Sequence, residues 1–137
     1  MRVSFTVQGK PQPQGSTRAF MPKGARFPIV TTDNKTLKPW RQDVSSQALL
    51  SMAGEKPTMD AVHVTCKFYF VKPKSVHKSI VYKITKPDLD KLLRGIFDGM
   101  TGICFLDDSQ IVSCESGKYF CDSNERAEVE VMTMPPS

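Results

Sequence analysis

The sequence predicts an α+β fold, one domain over residues 1–137, in which a mixed β-sheet carries two main helices packed on it. Three observations predict it. Apolar residues alternate in short runs: Val3, Phe5 and Val7; Val62, Val64, Cys66, Phe68 and Phe70; Val129 and Val131. That is the period of a half-buried strand. Two other segments carry helical spacing instead, Trp40–Val44–Ala48–Met52 and Leu89–Leu92–Leu93–Ile96–Phe97–Met100. The two kinds of segment interleave along the chain without a repeat, a heptad or a separate linker, and 137 residues suffice for a real core.

In order, Arg2 to Val7 reads as a strand. Gly9 to Gly24, rich in Gly, Pro, Gln and Ser, reads as a long loop carrying Lys10, Arg18 and Lys23. Arg26 to Thr32 suggests a short strand. Pro39 suits the first position of a helix running to about Ala53, before Gly54. Trp40 is read as packing, and Ala61 to Val71 as a strand with His63 on its more polar face. Lys72 to Lys86 is a cationic connection with Lys72, Lys74, Lys78, Lys83 and Lys86. A second helix follows from Asp88, then a short apolar run at Ile103–Leu106. Residues 110–113 and 117–121 suggest a strand or hairpin, and Ala127 to Thr133 a last strand. A parallel β-α-β arrangement around the second helix is compatible with this order.

Charge is unevenly distributed. Residues 1–86 hold 15 Lys/Arg against 4 Asp/Glu, a balance of +11; residues 87–137 hold 4 against 10, a balance of −6. A basic half beside an acidic half suits a surface that attracts a polyanion and a site that holds a cation. The same lysines could simply solvate the surface. No apolar run reaches 18 residues, so no membrane span is expected. The opening MRVSFTVQGK has no apolar core of a secretory leader. Cys66, Cys104, Cys114 and Cys121 show no C-x-x-C spacing, and the histidines are only His63 and His77. No zinc site is expected, and the thiols suit a reducing cytoplasm.

The stretch that carries chemistry is KPDLDKLLRGIFDGMTGICFLDDSQ, residues 86–110. Asp88 is placed as an N-cap after Pro87, with Asp90 in the first turn. An N-cap lies outside the helix, which frees the two carboxylates from the divergence of residues two apart on a helix. The helix and the chain after it are expected to bring Asp107 or Asp108 back to the same end. Three hard oxygen ligands with open positions would suit Mg²⁺. The plainer alternatives are acids that complement the helix dipole and an Asp-Asp turn.

These residues resemble the core of the RusA family of Holliday junction resolvases. The family pattern is one or two basic residues, D-x-D, usually Asn, an apolar helix carrying a Lys and an Asp, then D-D-x-Q. Here it falls on Asp88, Asp90, Lys91, Arg94, Asp98, Asp107, Asp108 and Gln110. VQGKPQPQGSTR is similar to the family's opening strand and loop, so the resemblance covers most of the chain. Lys91 stands where Asn is usual, at what reads as a peripheral position. Arg94 stands where Lys is usual, which exchanges a point charge for a planar fork.

The resemblance implies a RusA-like fold and a Mg²⁺-dependent endonuclease, with Mn²⁺ as a substitute, that resolves four-way DNA junctions as a homodimer in recombination and repair. It implies a bacterial or phage-encoded enzyme of the cytoplasm. The expected metal ligands are Asp88, Asp90 and Asp108, with Asp107 the second choice. Arg94 either stabilises transition-state charge or pairs with Asp90 or Asp98. Lys10, Arg18, Lys72, Lys74, Lys78, Lys83 and Lys86 are the expected DNA contacts. Two other classes fit the residues alone. A non-catalytic DNA-binding protein needs only the basic half, and a metal-dependent nucleotide phosphohydrolase needs only the acids.

Overall fold

The computed structural model of the protein describes residues 1–15, 17–20, 23–24, 29–32 and 35–136, except the side chains of 17–20 and 29–32. The elements are β1 (Arg2–Gln8), β2 (Thr17–Phe20), β3 (Ile29–Thr32), α1 (Leu37–Met52), β4 (Val62–Val71), α2 (Leu89–Met100), β5 (Ile111–Cys121) and β6 (Arg126–Thr133). A one-turn 3-10 helix, Asp108–Gln110, precedes β5. The main sheet has the order β1-β6-β4-β5; β6 runs antiparallel to both β1 and β4, and β4 is parallel to β5. β2 and β3 form a separate antiparallel pair. The sheet is therefore mixed and carries two helices, as the patterning predicts.

Strand alternation sorts the residues of the sheet. Val62, Val64, Cys66, Phe68 and Phe70 are buried beneath the helices, with Phe5 and Val7 from β1 and Ala127, Val129 and Val131 from β6. α1 contributes Trp40, Val44, Ala48 and Met52; α2 contributes Leu92, Ile96 and Met100. Each Val, Leu, Ile, Phe or Met among them, fully buried, contributes roughly 1.5–3 kcal/mol. The helices touch closely at Gly99, where an added Cβ would lie 2.6 Å from Val44 Cγ1. Among the described residues no helix is long and apolar enough to cross a membrane.

The structure refines four local expectations. β2 lies within the stretch read as a continuous loop. α1 starts at Leu37, so Pro39 is its third residue, still in the first turn where an N–H has no helical partner. Of the strand or hairpin expected after Gln110, the structure has the strand, 11 residues from Ile111 to Cys121 after the 3-10 turn. Ile103–Leu106 is a turn: Gly102 has φ +84° and donates to the Phe105 carbonyl at 2.7 Å, while Cys104 and Phe105 are buried. That apolar run fills the core from a turn. Of the strand expected at 26–32, residues 26–28 lie outside the described residues.

Candidate active site and nucleic-acid interface

α2 begins where the chain turns in from the lysine-rich connection. Asp88 is its N-cap, with extended backbone (φ −71°, ψ 142°), and its carboxylate makes no capping hydrogen bond. The carbonyl of Asp88 accepts the first helical bond, from Leu92 N at 3.1 Å. Asp90 stands exposed in the first turn. Lys91 does not prove peripheral: its Nζ lies 3.7 Å from Asp88 Oδ2, with both side chains about half exposed. At that exposure the pair is weak and easily exchanged for another partner.

An open cleft of about 460 Å³ lies at this end, between the Lys10–Gly15 stretch and Lys86, Pro87, Asp88 and Lys91. The loop wall is anchored to the helices. Gln14 N donates to the Lys91 carbonyl at 2.9 Å, and Gln14 Nε2 to Asp98 at 2.5 Å. Arg41 donates to Gln14 Oε1 and lies 4.0 Å from Asp98. Asp98, part of the motif by sequence, thus holds the loop against both helices. Its carboxylate is engaged by Gln14 and Arg41 rather than by Arg94, which is exposed one turn beyond Asp90.

The expected DNA-contacting lysines divide. Lys10 and Lys86 line the cleft. Lys74 and Lys78 are exposed on the connection. Lys72 Nζ donates to the carbonyls of His77 and Lys78, and lies 5.7 Å from the Phe120 ring centroid. Lys83 lies over the rings of Phe70 and Phe120. Desolvation, then the charges of Lys118 and Lys10, hold the Lys83 ammonium below its ordinary pKa. The backbone of Arg18 is in β2, but its side chain lies outside the described residues.

Lys118 was not among the expected residues. It is the lone lysine of β5, and its Nζ donates to the carbonyls of Thr85 and Pro87, each at 2.8 Å. Together with backbone bonds from Lys83 N to Lys118 O and from Phe120 N to Val81 O, it ties residues 81–87 to the edge of β5. The backbone leading into Asp88 is thereby fixed. Its only sequence signal is its charge, one of four cations in the acidic half.

The second acid pair has different surroundings. Gln110 Oε1 accepts from the N–H groups of Leu106 and Asp107, and its Nε2 donates to the carbonyls of Thr58 and Asp60. The Asp107 carboxylate accepts the Ser109 hydroxyl. So Asp107 and Gln110 build the turn, while Asp108 is exposed at the start of the 3-10 helix. Exposed apolar side chains occur nearby: Met59, Leu106 and Val112.

The two pairs do not meet within the protomer, contrary to the expectation from sequence. β4 and β5 are parallel, so α2 must run back along them before β5 can start. Its 12 residues span about 18 Å. Asp88 lies beside Lys118 toward the far end of β5, while Asp107 and Asp108 precede its first residue. Among the described residues, no three His, Cys, Asp or Glu side chains gather as a metal site. Asp88 lines the cleft and Asp90 stands exposed two residues on, and carboxylate oxygens of this kind suit a hydrated Mg²⁺ that keeps further positions open.

Two comparisons bear on this arrangement. The family described as endodeoxyribonuclease RusA matches residues 8–132. An uncharacterized protein of Bacillus subtilis (strain 168), YqaN, is 29% identical over 140 residues, covering 95% of this chain and 94% of the relative.

Proposed function

The chain belongs to the RusA endodeoxyribonuclease family, and from that premise we propose that it cuts four-way DNA junctions as a Mg²⁺-dependent homodimer. The observation that carries this reading is Asp88 at a cleft walled by Lys10, Lys86 and Lys91, with Asp90 exposed in the helix turn that follows it. The lysines seat phosphates of the backbone. Asp88 makes no capping bond and its half-exposed pair with Lys91 is weak, so its carboxylate can turn to a cation. Lys118 fixes the approach to Asp88, and Arg94 faces solvent one turn along, where it can meet charge that develops on the phosphate. A bound Mg²⁺, or Mn²⁺ in its stead, would polarise the scissile phosphate and lower the pKa of an attacking water.

The third carboxylate comes from a second copy in this reading. Within one chain α2 separates Asp108 from Asp88 by its own length, so Asp108 of the partner subunit completes each site. A two-fold dimer then holds two sites, which matches the two symmetry-related incisions that junction resolution requires. The exposed Met59, Leu106 and Val112 around Asp108 supply apolar surface for such a contact.

The test is a synthetic four-way junction and a linear duplex of equal length, each with and without Mg²⁺. Paired incision of the junction only with Mg²⁺ is expected. Tight binding with no incision under any divalent metal would make the protein a DNA-binding module. Hydrolysis of free nucleotides with an intact junction would make it a phosphohydrolase.

A further inference from the structure

The segment between the basic connection and Asp88 exposes an apolar strip that no described residue of the protomer covers. Ile80, Val81, Tyr82 and Ile84 are 45%, 55%, 64% and 92% exposed. Yet this segment is held in place, by its bonds to Lys118 and Phe120. Tyr82 also terminates a stack. Arg126 lies 4.0 Å from the centroid of the Tyr69 ring, Tyr69 stacks on Tyr119 at 5.5 Å, and Tyr82 lies 5.6 Å from Tyr119. Gly117 makes room for it, since a Cβ there would lie 2.6 Å from the Tyr119 hydroxyl oxygen. The stack thus runs from β6 across β4 and β5 and ends in a ring open to solvent.

Building on the DNA reading above, we propose that Tyr82 and Ile84 form a stacking surface for unpaired nucleobases at the centre of the junction. Residues two apart on an extended segment point to the same side, so the ring and the isoleucine present one apolar strip. A base extends the tyrosine stack, and Ile84 wedges against the step it leaves. Charge selects this occupant. Lys78 and Lys86 flank the strip, Lys83 lies within it, and Lys118 is bonded to the carbonyls of Thr85 and Pro87 just beyond it. Phosphates attached to the stacked bases neutralise those cations. A second copy docked here about a two-fold axis would set the same lysines against each other.

The test measures binding without divalent metal, by fluorescence anisotropy, to three probes: an intact four-way junction, the same junction with abasic sites at the crossover, and a linear duplex. Tyr82→Ala and Ile84→Asn should each weaken binding to the intact junction about tenfold and leave duplex binding unchanged. The abasic junction should bind wild type and Tyr82→Ala alike. Tyr82→Phe, which keeps the ring, should behave as wild type, and circular dichroism should show all three variants folded. Equal affinity of wild type and variants for the intact junction overturns the proposal. So does a shift from dimer to monomer in sedimentation, which would make the strip a subunit contact. Wild type binding junction no tighter than duplex would instead overturn the junction reading on which the strip depends.

Discussion

The two ends of α2 carry acid pairs of the same type in opposite surroundings. At the first end, Asp88 and Asp90 flank the helix start beside a lysine-lined cleft. At the second, Asp107 is absorbed into a turn tied by Ser109 and Gln110, and exposed apolar residues stand nearby. The first end gathers lysines and carboxylates around one cleft, the arrangement on which the nuclease reading rests. The second leaves Asp108 exposed beside exposed apolar side chains. Similar residues thus do different work according to what the neighbouring elements leave unbonded.

The largest expected effect is at the first end. Asp88→Asn or Asp90→Asn removes charge with almost no change in shape. Incision of a junction should fall by at least about a hundredfold, the order seen when a key electrostatic group is lost. Binding should hold or tighten, because less negative charge faces the phosphates. Full cleavage by Asp90→Asn in ordinary Mg²⁺ would take that residue out of the site.

Mixing variants tests whether the ends cooperate across subunits. Asp88→Asn and Asp108→Asn homodimers should each be inactive. After subunit exchange, a heterodimer has one site with both lesions and one with neither, if Asp108 acts in trans. A cruciform plasmid should then accumulate nicked circles. If Asp108 acts within its own chain, both sites stay damaged and the mixture cuts no better than the separate proteins, with exchange confirmed.

Much of this arrangement is legible from periodicity. Burial along β4, α1 and α2 depends on side-chain spacing, and spacing is a property of the sequence itself. The place of Asp108 is not legible in the same way. It depends on β4 and β5 being parallel, and strand direction is a tertiary choice that alternation does not encode. Once that direction is given, the acids must part by the length of α2. The tyrosine stack is hidden for a related reason: Tyr69 and Tyr119 belong to distant strands and meet only through the register of the parallel pair. Lys118 gives no signal beyond its charge, since its role lies in two backbone carbonyls of another segment.

Salt dependence sharpens the electrostatic half of the comparison. Each phosphate neutralised releases counterions, which gives a slope of about −0.9 in log K against log salt. Lys74 and Lys78 are exposed on the connection that leads to the first end. Replacing both by Ala should flatten the slope by about two. Lys56→Ala, close in sequence to the Thr58 carbonyl that holds Gln110, should leave it unchanged. Equal slopes for the double variant and wild type would remove the connection from the DNA path.

The smallest effect separates the two acids of the second pair. Asp107→Ala loses the Ser109 hydroxyl bond in a turn on the surface, a cost of about 1 kcal/mol. Asp108→Asn removes no hydrogen bond that builds the turn, so stability should stay within about 0.5 kcal/mol of wild type. Activity should order the other way. Asp108→Asn should lose incision as Asp88→Asn does, while Asp107→Ala should keep most of it, because Gln110 still ties the turn to Thr58 and Asp60. Urea midpoints and junction cleavage on the same preparations give both quantities. Loss of incision in Asp107→Ala with Asp108→Asn active would exchange their roles: Asp107 would be the metal ligand, and its bond to Ser109 would give way when the metal binds.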